Sequence, residues 1–233
     1  MLRVSPHVVD GFEQAAVDAW AVDTAQFMAR TYRDYLVAMN IRAVDLLPLV
    51  HAVQQWAARY ECTVDRDVRQ LCCVAMSLGH QFWEDPRFAH YVNVSLRDRG
   101  LPRTHAVKTL VGHATEWLTQ LWKDDGLAEF GERLSALVVG GYPLNSQTLE
   151  YVLPGHAAMF TPDDEARLLD WLRPRLPETG YAHQRMSYIC LALPLGMSWW
   201  ADPQYRHVAH HVASHTDPQA LVNGILPMFR ALP

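Results

Sequence analysis

Residues 73–90, CVAMSLGHQFWEDPRFAH, and residues 190–207, CLALPLGMSWWADPQYRH, align without a gap at an offset of 117. Eight of the eighteen positions are identical: Cys73, Ala75, Leu78, Gly79, Trp83, Asp85, Pro86 and His90 recur as Cys190, Ala192, Leu195, Gly196, Trp200, Asp202, Pro203 and His207. Val74/Leu191, Met76/Leu193, Phe82/Trp199 and Phe88/Tyr205 are conservative pairs. The unit reads as a helix corner. An apolar helix ends near a glycine that lets a neighbour approach closely, an aromatic pair follows, and Asp-Pro starts the next helix. The corner residues are Gly79, Trp83, Asp85 and Pro86 in one copy, and Gly196, Trp200, Asp202 and Pro203 in the other.

Outward from the corners, apolar residues recur at helical steps. Phe12, Ala16, Trp20, Phe27, Met28, Tyr35, Leu36 and Met39 paint one face of a long helix. Shorter stripes are Leu49, Val53, Trp56 and Tyr60; Val107, Leu110, Val111, Ala114, Trp117, Leu118 and Leu121; and Leu127, Phe130, Leu134 and Leu137. No stretch alternates strictly between hairpin turns, so the expected class is all-α. Acceptors before proline mark starts at Asp85-Pro86, Thr161-Pro162, Asp202-Pro203 and Asp217-Pro218; Thr63 and Thr104 read as plain caps, and Gly140-Gly141 and Thr179-Gly180 as breaks. Helical segments at 49–60 and 166–176 precede the corners, and 104–122 and 217–230 follow them. The chain therefore reads as two tandem, diverged helical repeats, 1–117 and 118–233, packed into one compact or elongated body.

Half of the 233 residues are hydrophobic and 19% are charged, a composition too apolar for disorder. The formal charge is −5, and the basic residues cluster no further than Arg97, Arg99, Arg103 and Lys108, which argues against nucleic acid as a partner. Residues 188–200 are too short for a membrane span of about 20 residues and contain Pro194, so they read as a buried helix. After Met1 and Arg3 the chain runs VSPHVVDGFEQ with no apolar signal core, and the expected location is the cytoplasm. Cys62, Cys72, Cys73 and Cys190 show no C-x-x-C spacing and are expected as reduced, mostly buried thiols.

Few residues suggest chemistry. His207, His211 and His215 stand at i, i+4 and i+8 with His210 beside them, a spacing at which imidazoles can share a divalent metal. Neither H-E-x-x-H nor E-x-x-H accompanies them, so the expectation is a polar helix face with no metal and no cofactor. His80 with Glu84 could form a general base, yet the second copy has Met197 and Ala201 there. Asp85 and Asp202 suggest a carboxylate pair, but each directly precedes proline, where helix capping accounts for it. Gly196-Met197-Ser198-Trp199-Trp200 lacks the second glycine of a nucleophile elbow, and Gly140-Gly141-Tyr142-Pro143 is a turn and no phosphate loop. Of the eight tryptophans, Trp83 and Trp200 are expected in the core, while Trp122, Trp171 and Trp199 are candidates for a protein interface.

Residues 58–88, ARYECTVDRDVRQLCCVAMSLGHQFWEDPRF, resemble a group of small all-helical bacterial accessory proteins encoded beside type VI secretion spike and effector genes. The residues that carry the resemblance are Tyr60, Asp65-Arg66-Asp67-Val68, Gly79, Phe82, Trp83 and Asp85-Pro86. The chain departs at Glu61-Cys62, where a glycine-containing turn is common, at Trp83-Glu84 in place of Phe-Asp, and in having a second, diverged copy. The resemblance implies a non-enzymatic, protein-binding accessory role: an adaptor or co-chaperone for a secretion effector, or an immunity protein that neutralises a cognate toxin. It carries no catalytic residues. A small helical metalloenzyme using the His207, His211 and His215 face is the rival expectation.

Overall fold

The computed structural model describes residues 6–97, 100–122 and 127–230. They form thirteen α-helices and no strand. The first half contains α1 (Pro6–Thr31), α2 (Arg33–Ala38), α3 (Leu47–Ala58), α4 (Asp65–Leu78), α5 (Ala89–Leu96) and α6 (Arg103–Leu121). The second contains α7 (Leu127–Gly140), α8 (Ser146–Val152), α9 (Pro154–Ala157), α10 (Pro162–Leu172), α11 (Ala182–Leu195), α12 (Arg206–Ser214) and α13 (Pro218–Arg230). Buried apolar side chains from Ala21 to Phe229 make one continuous cluster. The expected dividing point between residues 117 and 118 falls inside α6, which runs through it.

Side-chain capping sets the starts of α8, α10 and α13. Thr161 accepts from the Asp164 amide while Asp164 returns the bond, a capping box that starts α10 with three acids in its first turn. Asn145 and Thr148 do the same for α8, and Asp217 accepts from the Ala220 amide at 2.8 Å ahead of α13. Three expectations fail. The long N-terminal helix breaks at Tyr32 (φ −112°, ψ 33°), because leaving the helix there carries the Tyr32 ring onto α4 while Leu36 and Met39 still reach the core. Thr63 caps nothing: Val64 precedes α4 without a side-chain bond. Thr104 lies one residue inside α6, and its hydroxyl donates to Asp67 Oδ2 at 2.5 Å, tying the starts of α6 and α4 together.

The corners decide how the halves meet. α4 and α11 are each fourteen residues long, their bounds differ by 117 at both ends, and each stops at a glycine, Gly79 (φ 98°, ψ 147°) or Gly196 (φ 99°, ψ 149°). The same turn follows: the Phe82 amide donates to the Gly79 carbonyl and the Trp199 amide to the Gly196 carbonyl, both at 3.1 Å. Asp85-Pro86 and Asp202-Pro203 were expected to open α-helices directly. Each instead opens a single tight turn, a 3-10 helix over Pro203–Tyr205 in the second copy, and α5 and α12 each begin four residues after the respective aspartate, because the carboxylate caps the amide two residues on. The two glycines lie against one another: a Cβ on Gly79 would sit 3.3 Å from the Gly196 Cα. This dihedral region is essentially reserved for glycine, and no side chain separates the two corners.

Gly196→Ala is expected to destabilise the fold by about 2–4 kcal/mol, since its Cβ would be driven into the Leu78 carbonyl oxygen as well as strained in φ. Gly79→Ala, whose Cβ would stand 3.0 Å from the Leu195 oxygen, should cost less, and Gly112→Ala, open on α6, should stabilise by up to about 1 kcal/mol. Urea unfolding midpoints of the three variants check the order.

Candidate functional site

Two regions stand out: the crossing of the corners, where buried polar groups gather, and a cleft on α4. At the crossing, Asp85 and Asp202 are buried, with 3% and 0% of their surface exposed. Each caps its own turn, Asp85 Oδ1 accepting from the Arg87 amide and Asp202 Oδ1 from the Gln204 amide, both at 2.9 Å. Each also reaches across to the amide after the other corner's glycine: Asp202 Oδ2 accepts from His80 N at 2.9 Å, and Asp85 Oδ2 from Met197 N at 3.4 Å. The capping role assigned to both aspartates is thus half of what they do.

The two carboxylates differ in their counter-charge. Arg87 pairs with Asp85 at 2.7 Å and donates onward to the carbonyls of Leu193 (2.8 Å) and Ala192 (3.3 Å), closing the last turn of α11. The matching residue of the second corner is Gln204, whose amide bonds Asp202 at 3.1 Å and whose Oε1 has no partner. Asp202 has His80 Nδ1 at 3.6 Å, so the acid beside His80 is Asp202 from the other corner and Glu84 is exposed. Tyr35 and Tyr205 hydroxyls meet at 2.7 Å nearby, and burial raises both well above the usual phenol range.

The C-terminal histidines are engaged elsewhere. His211 Nε2 lies 2.9 Å from the Leu221 carbonyl and His215 Nδ1 2.8 Å from the His211 carbonyl, while His207 points into the protein, its Nε2 unpartnered and its pKa lowered by burial. His215 follows the helix in extended conformation yet keeps its ring 3.9 Å from that of His211, so two of the three imidazoles stay together while His207 turns away from them. Among the described residues no three His, Cys, Asp or Glu side chains are placed to share a metal ion.

All four cysteines are free, with Cys73 half-buried and the rest buried. Burial raises each thiol, Cys190 up to about 12, which keeps them protonated and poorly nucleophilic. Within each aromatic pair the order of burial differs from expectation: Phe82 and Trp199 are 1% exposed, whereas Trp83 and Trp200 are half-buried. Trp83 stacks on Trp56 at 4.7 Å. Trp199 donates from Nε1 to the Tyr188 carbonyl at 3.0 Å inside the core and is no interface residue. Trp122 and Trp171 are half-buried, Trp171 beneath the Arg175 guanidinium at 4.1 Å.

The cleft was not expected. A space of about 610 Å³ opens between α1, α4 and α6, floored by Cys73 and Val74, walled by Phe27 and Tyr32 on one side and by Val111 and Leu118 on the other. Its size and mostly apolar lining suit a bound ligand or peptide. The sequence signal for it is the width of the α6 stripe. Leu110, Ala114, Trp117 and Leu121 face the core, which leaves Val111 and Leu118 as a half-buried apolar margin. Arg69 anchors α1 to α4 by pairing with Asp23 beneath the Trp20 and Phe27 rings. No helix among the described residues is long and apolar enough to cross a membrane. No protein-family model, no curated protein and no solved structure matches the chain.

Arg87→Met is expected to cost about 3–5 kcal/mol, because it leaves the Asp85 charge buried and unpaired, and chemical denaturation measures it. A second prediction concerns His156, which is fully buried against Trp117 and Phe160 with both ring nitrogens unpartnered. Burial, assisted by Arg87, lowers its pKa from 6.5 to about 3. The unfolded chain therefore takes up a proton that the fold refuses, and stability falls with pH from about 6.5 downward, by about 2 kcal/mol at pH 5 from this residue alone. His156→Leu should flatten that part of the stability–pH curve.

Proposed function

We propose that this chain is a non-enzymatic protein-binding accessory, an adaptor or co-chaperone for a type VI secretion effector, acting in the cytoplasm on a protein and not on nucleic acid. The observation that carries the reading is the apolar cleft on α4. The segment that resembles the secretion accessories, 58–88, contains every α4 residue lining that cleft, among them Arg66, Gln70, Cys73 and Ser77. The polar groups that could otherwise do chemistry are committed to structure: Asp85 to Arg87 and backbone amides, His211 and His215 to carbonyls, the thiols to burial.

We also propose that the two corners descend from one duplicated unit, giving two tandem, diverged repeats that share a core. The equal lengths of α4 and α11, the paired glycines and the reciprocal aspartate contacts support it.

Co-expression with the products of adjacent genes is expected to yield a stable complex, seen as co-elution in size-exclusion chromatography. Raised solubility or delivery of an effector identifies a chaperone, and rescue of cells from a toxin identifies an immunity protein. If the chain remains alone beside every neighbour, the accessory reading fails.

A further inference from the structure

We propose that the cleft between α1, α4 and α6 receives an amphipathic helix of a partner protein, lying antiparallel to α4 and α6 and carrying acidic residues in its last turn. The proposal rests on the protein-binding reading and adds the chemistry of what is bound. The cleft has the shape of a helix slot. Arg66, Gln70, Cys73 and Ser77 follow one another along α4 at steps of four, three and four, and Val111, Thr115 and Leu118 do so along α6. Eleven residues of helix span about 16 Å, or three turns. Two parallel helices form the floor: Thr104 meets Asp67 at their starts, and Phe88, just past the corner, meets Trp117 near the end of α6, with ring centroids 4.7 Å apart.

The same molecule shows how such a slot is filled. α11 runs into the second corner and α13 lies beyond it, as α4 runs into the first and α6 lies beyond that one, and α7 is laid against both α11 and α13. Phe130 of α7 meets Phe229 of α13 at 5.0 Å, and Phe130, Leu134, Leu137 and Val138 are all buried. On α4 and α6 no helix among the described residues takes that place. Small residues stand there, Cys73, Ser77 and Ala114, and the space remains open.

Charge sets the direction. The N-termini of α4 and α6 lie together at one end, where Arg66 is exposed and spans 3.5 Å to an Asp67 already held by Thr104. Lys108, one turn before Val111 on the same stripe, is exposed and makes no ion pair among the described residues. Asp65 is the one carboxylate lining the cleft. Arg66, Lys108 and two helix N-termini, set against Asp65 and an Asp67 that Arg66 and Thr104 already hold, favour the negative, C-terminal end of an incoming helix there.

Fluorescence anisotropy with labelled, helix-stapled peptides of about 15 residues tests this, with leucines at i, i+3, i+4, i+7 and i+11. One peptide carries glutamates in its last turn, one lysines there, and one the same composition with the leucines scrambled. The glutamate peptide is expected to bind saturably and about tenfold more tightly than the lysine peptide, with no binding by the scrambled one. Thr115→Trp, at an exposed position that leaves the thermal midpoint unchanged, should abolish binding, and Arg66→Glu should reverse the charge preference. In the unaltered protein at alkaline pH, where the half-buried Cys73 thiol reacts with an alkylating agent, the bound peptide should slow that reaction. Equal binding of the scrambled peptide, an unaffected Thr115→Trp or an unprotected Cys73 overturns the proposal. A complex with an adjacent-gene product that survives Thr115→Trp overturns the slot and leaves the accessory role standing; peptide binding without any such complex does the reverse.

Discussion

Asp85 and Asp202 bring carboxylates into a site closed to water, where an unpaired charge would be costly, and the surrounding structure is arranged to meet that cost. Each aspartate holds its own turn with one oxygen and the opposite corner with the other. The halves cannot separate without exposing or orphaning both. Because the contacts are made to backbone amides beside Gly79 and Gly196, the two chains must approach to backbone distance, and a side chain at either glycine would hold them apart. The neighbouring features follow from this crossing: Arg87 closing α11, His80 beside Asp202, and the tyrosine pair above it.

The crossing is similar in geometry on its two sides and different in charge. Asp85 has a guanidinium that also serves two helix carbonyls, whereas Asp202 relies on amides, Gln204 and a histidine. The helices that follow differ in closure as well. α7 covers α11 and α13 with buried Phe130, Leu134, Leu137 and Val138, while α1, pinned by Arg69 and Asp23, stands off from α6 and leaves the cleft. One half is thus built to be finished by its own chain and the other presents an open apolar floor. The proposed protein-binding role rests on that contrast more than on any single residue.

The histidines show how burial, more than spacing, decides chemistry. Seen as spacing, His207, His211 and His215 share a face; in the fold His207 turns inward, His211 reaches the carbonyl of Leu221 on α13, and His215 leaves the helix. The most perturbed imidazole is His156, on a four-residue helix with no periodic signal, where packing against Trp117 and Phe160 excludes water and disfavours its charge.

Periodicity and capping chemistry are local, and they made the helical class and two helix starts legible: Asp217 and Thr161 cap as their sequence says, and the α6 and α3 stripes are where apolar spacing places them. The pairing of residues 73–90 with 190–207 marks Gly79, Gly196, Asp85 and Asp202 as special, since matching residues at matching steps imply matching local constraints. Which groups those residues would touch was decided only by tertiary structure. Asp202 finds His80 at a separation of 122 residues, Trp199 is drawn into the core while Trp83 stays at the surface, and Tyr32 breaks a helix to reach α4. The cleft was legible only as an over-wide apolar stripe on α6, because an unfilled space is a property of where three helices fail to meet, and no one of them encodes it alone.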